Sequence, residues 1–371
     1  MLEDKIGYAY NDVTIIPAII SEVNSRSECN PFIKDNFLPI FTAPMASVVN
    51  EDNLNDFLKN RIVPIIPRNI DIERRKYQMN EQQCVALSLK EFEDLFINNY
   101  KDRTGDFRTH YFICVDIANG HMKSLYEKCL QAKKNAIDGN YKLTIMTGNI
   151  ANPETYEWII KFNDVNDIKV IDYIRVGIGG GCGCITTSNT SAHYPQASLI
   201  DECYKIKKYW KNYTSKDVVP HIIADGGIRN YDHVIKALAL GADFVMIGSL
   251  FSQCIESAGI KYLNTEDIFN YNAYELNSLY IDNKNNWHGK IKGLKDNKYI
   301  GKLDVKFFGM ASADGQKSIS GEKTKTAEGI TKYLHVKYTI KGWVENMISY
   351  LRSAMSYTDC KTLKEFIGNQ N

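Results

Sequence analysis

The chain has 371 residues, and 45 Lys and Arg against 44 Asp and Glu leave a net charge of +1. Its 44% hydrophobic and 24% charged residues are ordinary for a folded globular protein, which excludes intrinsic disorder and a basic coat for nucleic acid. No apolar run approaches the ~18 residues that span a bilayer, and MLEDKIGYAYND lacks the basic-then-apolar order of an export signal, so the expectation is a cytoplasmic protein with no membrane partner. In chain order, short apolar runs then recur: FLPIFTA (37–43), IVPIIP (62–67), YFICVDIA (111–118), LTIMTGN (143–149), YIRVGIG (173–179), HIIADGG (221–227), FVMIGS (244–249) and VKFFGMAS (305–312). Most are continuously apolar, as in parallel strands buried on both faces. Helical patterns separate several of them. SLIDECYKIKKYW (198–210) puts Leu199, Ile200, Cys203, Ile206 and Tyr209 on one face and lysines on the other. YDHVIKALALGA (231–242) reaches a C-terminal stop at Gly241. Eight strands alternating with helices predict an α/β fold, a (β/α)8 TIM barrel forming one domain over 1–371. Residues 260–304 read as a polar insertion, a hairpin with mobile loops, and 313–335 as a flap over the site after the last strand.

Nearly every predicted strand ends in Gly, Asn, Asp or Ser, and barrel active sites are built at those carboxyl ends. VGIGGGCGCITT (176–187) is the densest case. Its glycines let the backbone approach a ligand, its N–H groups can cradle a phosphate, and its carbonyls can hold a monovalent cation. A thiol among such dipoles is placed for nucleophilic attack. Cys182 and Cys184 both fit, and spacing alone does not choose between them. No second half accompanies this C-x-C, which argues against structural zinc, and the nine cysteines are expected as thiols. In IIADGGIRN (222–230), Asp225 suits ribose hydroxyls while Gly226 and Gly227 suit a phosphate. Gly248 and Ser249 repeat the pattern one strand later. Together these point to a phosphorylated ligand such as a nucleotide.

These segments make the sequence recognisable. FTAPM (41–45), VGIGGGCGC (176–184), IADGGIR (223–229), GADFVMIGSL (241–250) and FFGMAS (307–312) resemble the inosine-5′-monophosphate dehydrogenase and guanosine-5′-monophosphate reductase family. The resemblance runs from YNDVTIIPA (10–18) to RSAMSYTDCKTLKEF (352–366). It implies a barrel that assembles as a homotetramer and uses a cysteine to attack a purine at C2, giving a covalent thioimidate. Cys184 falls on that nucleophile. Thr186 and, in KTAEG (325–329), Glu328 fall on the catalytic pair of the reductase branch. Met45, Asp225, Gly226, Gly227, Gly248, Ser249, Gly309, Met310, Ala311, Lys325 and Gly329 fall on substrate positions. Carbonyls of Gly179, Gly181 and Cys184 match the family's potassium loop. Cys182 stands where the family commonly has a serine, and Lys325 where reductases have an arginine.

Both branches share the covalent intermediate, so other features must separate them. The gap from Pro67 to Tyr111 is too short for the regulatory modules that dehydrogenases usually insert, so no such module is expected. NSRSE (24–28) resembles the reductase segment in which Ser25 and Arg26 would reach the dinucleotide of a neighbouring subunit. VDIANGH (115–121) resembles the reductase cofactor strand. Arg68, Asp116, Ile117, Ala118 and Ser353 complete the implied cofactor set. From Gly315 to Lys337 there is no Arg-Tyr pair of the kind that activates water in the dehydrogenase flap. The resemblance therefore implies NADPH-dependent reduction of GMP to IMP and ammonia, with potassium as a further cofactor. The alternatives are an IMP dehydrogenase without regulatory modules and a non-catalytic purine-nucleotide-binding protein.

Overall fold

The computed structural model describes residues 6–103, 109–263, 268–269, 280–284, 286–289, 299–322 and 326–369. Eight strands run parallel: β1 (Ile40–Thr42), β2 (Ile65–Ile66), β3 (Cys84–Leu87), β4 (His110–Asp116), β5 (Lys142–Ile150), β6 (Tyr173–Val176), β7 (His221–Asp225) and β8 (Phe244–Ile247). They pair in the order β1-β8-β7-β6-β5-β4-β3-β2. The ring closes just before β2, where Thr42 N–H donates to Val63 O and Val63 N–H to Ile40 O, both at 3.1 Å. Helices follow the strands: α1 (Leu54–Lys59), α2 (Ile72–Asn80), α3 (Leu89–Glu93), α4 (Lys123–Asp138), α5 (Pro153–Asn166), α6 (Thr186–Thr190), α7 (Gln196–Tyr213), α8 (Tyr231–Ala239) and α9 (Ser249–Ser252). This is the predicted (β/α)8 barrel.

The strands are apolar on both faces because both are covered. One set of side chains, including Phe41, Ile65, Ala86, Cys114, Met146, Ile223 and Met246, fills the barrel interior. The other set packs outward under the helices. On α7, Leu199, Ile200 and Cys203 are fully buried as predicted, and α8 stops before Gly241, whose φ is +112°. Two details of α7 differ from the expectation. Tyr209 is 59% exposed, and Lys207 is buried, because the Asp243 carboxylate just before β8 receives its ammonium.

The strand assignment also needs one exchange. The run at 305–312 is not a barrel strand. Its apolar part lies in β14 (Leu303–Phe308), which belongs to an antiparallel sheet with β9 (Lys261–Leu263), β10 (Ile268–Phe269) and β15 (Thr331–His335), ordered β10-β9-β14-β15. The missing barrel strand is β3. The insertion holds more than one hairpin, since β11 (Tyr280–Ile281), β12 (Trp287–Gly289) and β13 (Tyr299–Gly301) form a further antiparallel sheet. Its fully buried Trp287 donates Nε1–H to Val336 O at 3.0 Å and ties that sheet to the segment just after β15. The chain then runs through α10 (Ala313–Ser320), α11 (Ile340–Tyr357) and α12 (Leu363–Phe366). Among the described residues no helix is long and apolar enough to cross a membrane.

Candidate active site

The loop after β6 is built from glycine for steric reasons. Gly177 has φ +130°, and a Cβ there would stand 2.2 Å from Asp225 O. Gly179 has φ +78°, and a Cβ there would stand 1.7 Å from Thr187 Oγ1. The chain therefore folds back on itself and closes a turn through Cys184 N–H donating to Gly181 O at 3.0 Å.

Cys184 stands at the exit of that turn. Its Sγ–H donates to Thr186 Oγ1 at 3.2 Å, and Thr186 Oγ1–H donates to Glu328 Oε2 at 3.2 Å. Thr186 opens α6, whereas Glu328 comes from the flap. Two backbone bonds pin the flap to the loop: Ile185 N–H to Glu328 O at 3.0 Å and Ile330 N–H to Gly183 O at 2.8 Å. Gly329 lies between them, where a Cβ would come within 2.9 Å of Gly183 O. Glu328, 142 residues beyond Thr186, thus joins Cys184 and Thr186 in one hydrogen-bonded chain.

Two cavities meet at Cys184. The first, about 230 Å³, is walled by Met45, Cys182, Cys184, Asp225, Gly226, Gly227, Gly248, Ser249, Gly309, Met310, Ala311, Glu328 and Gly329, among others. Met45 Sδ lies against Gly248, where a Cβ would be 3.0 Å away. Met310 Sδ accepts from Ala46 N–H at 3.5 Å, which anchors the segment after β14 to the barrel. Gly227 N–H donates to Gly180 O at 2.9 Å, so that amide braces the loop. The second cavity, about 300 Å³, is walled by Arg68, Asp116, Ile117, Ala118, Asn149, Arg175, Gly179, Gly181, Cys184, Thr186 and Glu328, among others.

An ion network lines the second cavity. Arg175 reaches Asp116 Oδ1 through Nη1 at 2.8 Å and Asp225 Oδ2 through Nε at 2.9 Å. Arg68 Nε meets Asp116 Oδ2 at 3.0 Å. Asn149 Nδ2 donates to Asp225 Oδ2 at 2.7 Å and to Gly177 O at 2.8 Å. Burial alone would raise the Asp116 carboxyl, but the charges of Arg175 and Arg68 outweigh it and hold it below its ordinary value. Burial likewise opposes the Arg175 charge, and Asp225 and Asp116 reverse the effect and raise it. Arg175 and Asn149 were not singled out as site residues from the sequence. The signal available for Arg175 was a charge inside the otherwise apolar YIRV.

Other expected residues lie elsewhere. Arg26 Nη1–H donates to Ser353 Oγ at 3.3 Å, and Ser25 caps the short turn that carries Arg26. This cluster lines neither cavity. Lys325 lies outside the described residues. Among the described residues no group of three His, Cys, Asp or Glu side chains could hold a metal ion.

Residues 7–371 match the family model described as "IMP dehydrogenase / GMP reductase domain". Among curated proteins, the chain is 29% identical over 256 residues to a GMP reductase of Caenorhabditis elegans, covering 68% of this chain and 56% of that protein. It is 30% identical over 271 residues to a GMP reductase of Streptococcus equi subsp. equi, covering 70% of this chain and 74% of that protein. A GMP reductase of Shewanella pealeana is 25% identical over 385 residues, 98% of this chain and 93% of its own length. The matched part is thus little more than half of the nematode protein but nearly all of the Shewanella one. A matched domain over almost the full length, on a barrel with this cavity, places the chain in the IMP dehydrogenase / GMP reductase family of oxidoreductases.

Proposed function

We propose that the protein is a GMP reductase, converting GMP and NADPH to IMP, ammonia and NADP. The observation that carries this reading is the hydrogen-bonded chain Cys184–Thr186–Glu328 standing where two cavities meet. GMP occupies the first cavity. Asp225 uses Oδ2 for both Arg175 and Asn149, and this leaves Oδ1 for a ribose hydroxyl. Backbone at Gly226, Gly227, Gly248 and Ser249 surrounds the phosphate, with Met45, Gly309, Met310, Ala311 and Gly329 around the base. Lys325 would add a charge from the flap.

Cys184 gives its proton toward Thr186 Oγ1, and Thr186 toward Glu328, as the sulfur adds to the purine C2. The same relay returns a proton to the amino group that leaves as ammonia. The result is a thioimidate on Cys184. NADPH, when bound, would supply the hydride that reduces C2, and the C2–S bond then breaks to release IMP and the Cys184 thiolate. The second cavity opens on Cys184 and is polar on one side, which fits a nicotinamide. Arg68, Asp116, Ile117 and Ala118 would hold it there. Both Asp116 oxygens are occupied by arginines, so its part is to fix those two side chains.

Ser25, Arg26 and Ser353 serve a neighbouring subunit in this reading, within a homotetramer, where Arg26 pairs with the 2′-phosphate of NADPH. A potassium ion fits the loop carbonyls of Gly179, Gly181 and Cys184. Thr187 Oγ1 is buried beside Gly179 with no hydrogen-bond partner among the described residues, an oxygen that a hard cation would satisfy. The ion would order the loop.

The absence of arginine between Gly315 and Lys337 favours the reductase over the dehydrogenase. The test is to follow reduced-nicotinamide absorbance with GMP plus NADPH and, separately, IMP plus NAD. A fall with the first pair is expected. A rise with the second makes the protein a dehydrogenase. Nucleotide binding without change in either mixture makes it a non-catalytic binder.

A further inference from the structure

We propose that Cys182 is a resolving thiol, which makes the loop after β6 an oxidisable dithiol site where a peroxide joins Cys182 and Cys184 as a disulfide. The inference rests on Cys184 being an accessible nucleophile, as in the reading above, and is independent of the nucleotide turned over.

Exposure separates two cysteines from the rest. All nine are free thiols; Cys29, Cys84, Cys114, Cys129, Cys203, Cys254 and Cys360 are buried, while Cys182 and Cys184 are partly exposed. Both line the same cavity. Burial pushes the Cys84, Cys203 and Cys254 thiols up and takes those of Cys114 and Cys129 to about 12, so these five stay protonated and inert.

The backbone brings the pair within reach. The bond from Cys184 N–H to Gly181 O closes a four-residue turn with Cys182 and Gly183 at its corner. Two residues apart, the Cα atoms cannot exceed about 7.2 Å even when extended. A turn shortens that separation toward the range of about 4.4–6.8 Å that disulfides span. Glycine on both sides of Cys182, at Gly181 and Gly183, lets the backbone adjust. Among the described residues the Sγ of Cys184 is held only by Thr186 at 3.2 Å, so its swing toward Cys182 also breaks the relay to Glu328.

The chemistry balances with a peroxide as the one co-reactant. The Cys184 thiolate attacks a peroxide oxygen; an S–O bond forms, the O–O bond breaks, and the leaving alkoxide or hydroxide takes up a proton. The Cys182 thiolate then attacks Sγ of the Cys184 sulfenic acid. An S–S bond forms, and the departing hydroxide takes the proton that Cys182 released, giving water. Two thiols are oxidised and one peroxide is reduced. A dithiol reductant reverses the bond by exchange. Because the disulfide forms at the sulfenic stage, it spares Cys184 from irreversible oxidation.

The test treats the full chain with hydrogen peroxide, alkylates the remaining thiols and maps peptides by mass spectrometry. The expected product is a Cys182–Cys184 disulfide that dithiothreitol reverts to two free thiols. In Cys182→Ser, Cys184 should instead give a dimedone-trapped sulfenic acid and then a sulfinic acid that dithiothreitol does not reverse. Cys182→Ala should do the same, and circular dichroism checks that each variant is folded. The inference is overturned if wild-type Cys184 over-oxidises as fast as in the variants, stays reduced, or pairs with another cysteine. A disulfide in a protein that does not reduce GMP removes the reductase reading alone. GMP reduction without the disulfide removes this inference alone.

Discussion

Arg175 braces the cavity wall, because among the described residues it alone pairs with both Asp116 and Asp225. Replacing it by Met would leave Asp116 with Arg68 alone and Asp225 with no cationic partner among the described residues. Removing one side of a buried ion network costs about 3–5 kcal/mol. Urea unfolding of Arg175→Met at neutral pH should show a loss of that order, with weaker GMP binding in calorimetry; unchanged stability would mean that the wall is solvated. Cys184 makes a separate prediction. Cys184→Ala should lower turnover of GMP by at least about a thousandfold while GMP affinity changes only a few-fold, since the sulfur forms a bond only during reaction. Glu328→Gln should lower kcat by about a hundredfold or more and leave KM nearly constant, the pattern of a proton-transfer group. Glycine density and strand ends are local signals, so the sequence displayed Asp225 and the pair Cys182 and Cys184, and only the family resemblance singled out Cys184. It did not display Arg175, whose partners lie 59 and 50 residues away and become neighbours only when the strands align.

At the scale of elements, the site depends on a flap delivered by a sheet outside the barrel. β14 brings Gly309 to Ala311 over the cavity, and β15 leaves it just after Ile330. Ile330→Pro removes the N–H that binds Gly183 O while leaving the barrel strands untouched. It should reduce kcat about tenfold or more, through loss of the Glu328 position, with little change in the melting temperature of the barrel. An equal fall in both would show that the flap is part of the cooperative core. Much of this architecture was legible: seven of the predicted runs contain or overlap β1, β2 and β4 to β8, those for β4 and β5 starting one residue late. The two misassignments have physical causes. β3, CVAL, is only four residues long and carries no glycine at its end. Its clearest marker was Ser88-Leu89-Lys90-Glu91 just beyond it, a capping box in which Ser88 accepts from Glu91 N–H and Glu91 from Ser88 N–H. β14, LDVKFF, alternates buried and half-buried positions, the period of a strand with one open face. Its apolar end was read without the alternation that precedes it.

Across the whole molecule, chemistry and stability are divided between the two ends of the barrel. The carboxyl ends of the strands carry the cavities, whereas the opposite end carries charge pairs that hold helices to strands. Asp243, just before β8, accepts Lys207 Nζ from α7 and Ile222 N–H from β7, the latter at 2.7 Å, with His221 Nδ1 at 3.5 Å. Burial opposes the Asp243 charge, but the hydrogen bond from His221 and the Lys207 charge outweigh it and hold the carboxyl well below its ordinary value. A depressed folded-state pKa fixes the sign of the pH effect. Above the unfolded value of about 3.9 the carboxylate is ionised in both states and its contribution is complete. As pH falls below that value the unfolded chain takes up the proton first, and the contribution is lost as pH approaches the folded value. Wild-type stability should therefore drop steeply on the acid side. Asp116 and Glu91, also held low by arginines, add to that slope. Asp243→Asn should be less stable at neutral pH by about 3–5 kcal/mol, because Lys207 remains buried without a counter-charge. It should also lose less between neutral pH and pH ~3 than the wild type does, since the proton uptake of Asp243 is gone. Urea unfolding over a pH series separates the two effects. Parallel wild-type and variant curves would mean that Asp243 titrates alike in folded and unfolded chains, and the fastening of α7 to the base of the barrel would then have to come from apolar packing alone.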